Sequence, residues 1–61
     1  MTRQEIIDTM INTVNNYNVG MMKEAGATDQ QVADAIVSQR PAFEGMFNLI
    51  YDDLITAGVF K

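Results

Sequence analysis

The chain has no cysteine, no histidine and no tryptophan, one proline among 61 residues, and only four basic residues against eight acidic ones. Without cysteine there are no disulfides, no thiolate metal sites and no thiol nucleophile. Without histidine the commonest general base and the commonest nitrogen ligand are missing as well. The net charge of −4 repels phosphate backbones and anionic headgroups, so nucleic acid and membrane surfaces are disfavoured as partners. A basic protein surface is the natural complement. No apolar run approaches the roughly 18 residues of a membrane span. The first residues, MTRQEIIDTM, lack the basic-then-apolar layout of a secretory signal. A cytoplasmic protein is expected, read as a complete small frame from Met1 to Lys61, of a size common in phages and plasmids.

Sixty-one residues make one domain, 1–61, and a chain this short buries only about 60% of its unfolded surface. Disulfides being excluded, association with itself or with a partner is the natural source of further stability.

What is present is helical patterning. Thr2-Arg3-Gln4-Glu5 forms a capping box ahead of an apolar series, Ile6, Ile7, Met10, Ile11, Val14, Tyr17, Met21 and Met22, that keeps the i, i+3, i+4, i+7 spacing. Asn15 to Gly20 is poor in helix propensity, but the apolar phase survives it. One helix over about 3–25 is predicted, with Gly26 at its C-terminal cap. A second box, Thr28-Asp29-Gln30-Gln31, starts a short helix over about 29–39. Pro41 restricts Arg40 and suits the first position of a new helix, so a third helix is predicted over about 41–57, closed by Gly58 with Val59. No segment alternates with period two. The expected fold is therefore all-α, a three-helix domain with bundle or orthogonal packing.

The third segment, PAFEGMFNLIYDDLITAG, supplies the floor of the expected core through Phe43, Met46, Phe47, Ile50, Leu54 and Ala57. Its flank is more apolar than one core needs. Tyr51 and Ile55 sit at the edge of the buried arc and Leu49 outside it, while Ile11 and Met22 sit toward the rim of the first helix. These five, with Glu44, Asp52 and Asp53 as rim charges, form the candidate interface. Scattered exposed apolar residues need no explanation, whereas contiguous ones mark a contact surface.

Other chemistry is thin. Asp52 and Asp53 point about 100° apart on a helix and cannot share a proton or a metal ion; a solvated face is the simpler reading. Met10, Met21, Met22 and Met46 can line an adaptable surface, but filling irregular gaps in a small core is the simpler reading. Asn18 falls inside the apolar arc, where a buried asparagine can fix register, although rim exposure is the commoner state. No catalytic pair, phosphate loop or metal-ligand spacing occurs, so no catalytic residue, cofactor or metal site is assigned and an enzyme is not expected. The function expected is a small acidic protein–protein interaction module, a regulator or inhibitor of a partner, able to form a homodimer or larger homo-oligomer. Two alternatives stand behind it. One is a helix-turn-helix nucleic-acid regulator built on residues 28–50, which carries only Arg40 near its second helix. The other is a small-molecule binder using Thr13, Tyr17 and Asn18.

Overall fold

A computed structural model describes residues 1–60 and contains two α-helices, α1 (Arg3–Glu24) and α2 (Asp29–Thr56). They lie antiparallel as a helical hairpin, with Ile7 and Ile11 of α1 against Phe47 of α2 in the core and Met10, Val14 and Phe43 packed around them.

Both capping boxes form. The Glu5 amide donates to Thr2 Oγ1 at 3.2 Å while the Thr2 amide donates to Glu5 Oε1 at 3.1 Å. Gln31 and Thr28 make the same reciprocal pair at 3.2 and 2.9 Å. Each box satisfies donors that the first helical turn leaves without carbonyl partners.

Both helices end in the Schellman arrangement. At the end of α1 the Gly26 amide donates to the Lys23 carbonyl and the Ala27 amide to the Met22 carbonyl. At the end of α2, Gly58 donates to Ile55 and Val59 to Leu54. The two glycines have φ of +91° and +77°, where a Cβ would be strained. The end of α1 and the start of α2 are thus separated only by Ala25, Gly26, Ala27 and Thr28.

The expectation of three helices is overturned at Pro41. The helix predicted to stop at 39 and the one predicted to start at 41 are a single 28-residue helix with Pro41 in its interior. A proline there removes one amide donor, leaves the carbonyl four residues back unpaired and costs about 3 kcal/mol. The ring sits on the side of α2 turned away from α1, and Val37, whose carbonyl loses its donor, is 75% exposed, so water can satisfy that oxygen. What holds the helix together is its phase: Val32, Ile36, Phe43, Phe47 and Leu54 fall within about 60° of one another on an unbroken helix. A break at Arg40 would send the Val32–Ile36 half and the Phe43–Leu54 half to different faces. Arg40 adds to this by bridging Asp8 at 2.9 Å and Glu44 at 3.6 Å. α1 runs without interruption through Asn15–Gly20.

A two-helix fold gives each helix one neighbour, and the core is correspondingly thin. Among the described residues only Ile7, Ile11, Val32 and Phe47 are buried. The radius of gyration is 13.7 Å, against about 10.5 Å for a compact domain of this length.

Candidate functional site

The two long sides of the hairpin differ in chemistry. On one side a polar seam ties the helices together. Arg3 is its centre: Nη1 lies 2.8 Å from Asp52 Oδ1, Nε donates to Asn48 Oδ1 and Nη2 to the Asn48 carbonyl, both at 3.2 Å. The same guanidinium stands 4.6 Å over the Tyr51 ring, and Phe60 stacks on Tyr51 at 5.1 Å. Further along, Gln4 donates to Asp8 at 2.9 Å and to Glu44 at 3.4 Å, and Arg40 spans Asp8 and Glu44. The charged partners are between 41% and 59% exposed, so solvent screens each pair and each contributes about 0–1 kcal/mol.

On the other side the apolar arcs of both helices run past the contact line. In helical projection α1 carries an apolar arc of about 160°, from Ile6 through Tyr17, Met10, Met21, Val14 and Ile7 to Ile11 and Met22. α2 covers the end of that arc holding Ile7 and Ile11, and leaves Tyr17 68% and Met21 53% exposed. On α2 the arc runs from Phe47 through Phe43 to Ile50, Met46 and Leu49; the last three are 38%, 44% and 68% exposed. The polar seam fixes the sense of both helices, and in that sense Tyr17, Met21, Met46 and Ile50 all lie on the side opposite Arg40 and Glu44. Between them stand Thr13 and Gly20 on α1 and Ala35, Gln39 and Ala42 on α2, so the middle of this face carries no charge.

The residues expected at an interface do not meet on one patch. Ile11, expected at the rim, is fully buried, because with a single neighbour α1 turns the Ile7–Ile11 edge of its arc inward. Met22 is half-buried at the same edge. Tyr51 is held between Arg3 and Phe60, and Glu44 and Asp52 belong to the polar seam. Leu49 and Ile55 are exposed but point about 120° apart, and Asp53 is exposed beyond them. Tyr17, Met21 and Met46, which do share a face, were assigned to the core by their spacing. Their signal was the width of the arc, which exceeds the roughly 100° that one packed neighbour requires.

Other candidate sites gain no support. The turn that a helix-turn-helix would need at Arg40–Pro41 is replaced by continuous helix. Thr13 donates its hydroxyl to the Thr9 carbonyl at 2.9 Å, Tyr17 is exposed and Asn18 half-buried. Among the described residues there is no pocket, no group of acidic residues placed to hold a metal ion, and no helix long and apolar enough to cross a membrane. No protein-family model, curated protein or solved structure matches this chain.

Proposed function

We propose that this chain is a small protein–protein interaction module that works by covering a surface, as a regulator or inhibitor does, rather than by catalysis. The observation that carries this reading is the uncharged face of the hairpin, lined by Tyr17, Met21, Met46 and Ile50, in a molecule with only four buried side chains among the described residues. Covering that face is what the fold lacks, since apolar area removed from water stabilises at about 25 cal/mol per Å². Glu44 and Asp52 are already paired with Arg40 and Arg3. Steering toward a basic partner therefore falls to Glu24, Asp29, Asp34 and Asp53, which, like the capping Glu5, form no ion pair among the described residues, and such charges act on association rate more than on affinity.

The test is site-specific photo-crosslinking in the cells that make the protein. p-Benzoylphenylalanine at Met46 is expected to yield protein adducts. The same probe at Val37, exposed on the other side of α2 about 180° away, is expected to yield none. Adducts from position 37 alone, or from neither position, would refute the assignment of the working face.

A further inference from the structure

We infer that the occupant of this face is a second copy of the chain, two hairpins closing face to face into a four-helix bundle. This rests on the interaction reading above and names its partner.

Three observations converge on a second copy. The first is area. One chain exposes 4424 Å², whereas a compact monomer of its mass, 6.8 kDa, exposes about 3950 Å². Two free copies together expose about 8800 Å², and a compact body of the doubled mass about 6600 Å². Of that difference of about 2200 Å², about 1300 Å² is what any two compact chains of this mass would lose on merging, and about 900 Å² is the surplus that this open hairpin adds.

The second is the pattern along the helices. Next to the seam that faces its hairpin partner, each helix carries another seam at alternating four- and three-residue steps: Ile6, Met10, Thr13, Tyr17, Gly20 on α1, and Ala35, Gln39, Ala42, Met46, Leu49 on α2. Two adjacent seams per helix are what a four-helix bundle asks of its members, because each helix there has two neighbours. The small residues Gly20, Ala35 and Ala42 stand where a second layer of helices must approach.

The third is matching. The molecule is 42 Å long and 18 Å across, and its face is free of charge over most of that length, with Glu24 and Asp53 only at the ends. A two-fold axis sets the same patch against itself, so length and polarity agree automatically. Among the described residues the charged side chains lie on the seam side, on the outer sides of the helices or at the ends, away from the contact, where salt screens them.

Sedimentation of the purified chain from 1 to 200 μM tests the inference. A single species at twice 6.8 kDa is expected, and Met46→Lys should raise its dissociation constant at least about 100-fold by placing an unpaired charge in the contact. Val37→Lys should change it by no more than about threefold, as surface substitutions do. If Met46→Lys unfolds instead, circular dichroism of the unaltered chain decides. Its melting temperature must rise with concentration, and a concentration-independent melt overturns the inference. So does a helical 6.8 kDa species throughout the range, or an assembly larger than two chains. A purified monomer that still gives cellular adducts from position 46 would remove the second copy as occupant and leave the interaction reading standing. Adducts from position 37 alone would remove the face itself.

Discussion

Among the described residues Ile7 and Ile11 are the two with no exposed surface, and each is worth about 1.5–3 kcal/mol of transfer free energy. Ile11→Ala removes that and opens a cavity in a core of four side chains, at a cost of about 2–5 kcal/mol. Helicity by circular dichroism at 25 °C should then fall to a small fraction of the parent's. Retention of full helicity would mean that the buried residues are not where the stability lies. Asn15 is the opposite case. Its Oδ1 is buried with no hydrogen-bond partner, and an unsatisfied buried polar group costs about 1–3 kcal/mol. Alanine removes that carbonyl and also improves helix propensity by about 0.6 kcal/mol. Asn15→Ala should therefore stabilise the protein by at least about 1 kcal/mol, read as a higher urea midpoint at unchanged slope. A lower midpoint would show that the asparagine amide makes a contact worth more than its carbonyl loses.

At the scale of elements, α2 is governed by the balance between its proline and its packing. Pro41→Ala restores the amide of residue 41 and the bond to the Val37 carbonyl. The gain of about 3 kcal/mol in propensity, less up to about 1 kcal/mol for the freer unfolded chain, leaves a net stabilisation of about 2 kcal/mol. Urea denaturation measures it, and a destabilised variant would mean that the hairpin packs against a bend which only proline supplies. The same element shows how much the sequence discloses. The capping residues Thr2, Glu5, Thr28 and Gln31, the Schellman glycines 26 and 58, and the all-α class could be read directly, because each depends on chemistry within a few residues. The break at Pro41 could not, because local chemistry and long-range packing conflict there. Pro41 biases Arg40 away from the helix, while Ile36 and Phe43 remain in phase across it. Phase is the criterion that also carries α1 through its asparagines, and at Pro41 it decides the fold.

For the whole molecule, the widths of the apolar arcs matter more than their residues taken singly. Arcs of about 160° suit helices with two neighbours. Reading that demand as three helices in one chain and reading it as two hairpins in two chains account for the same residues. Only the continuity of α2 separates them. The candidate site was legible to that extent: an unmet apolar requirement was visible, but its location was not. Ile11 and Tyr17 trade places between core and surface according to which edge of α1 meets its neighbour, and that choice is set by the Arg3, Arg40 and Asp8 pairings across the seam, which lie 32 or more residues apart in the chain.

The turn at Ala25–Thr28 has a kinetic consequence. It lies between a Schellman end and a capping box, both closed by bonds within six residues, so α1 and α2 can pair outward from it without first closing a long loop. Hairpins rich in such local contacts form in microseconds to milliseconds. In the proposed pairing the meeting of two chains is second order, slows on dilution, and would then be the step that limits arrival at the bundle.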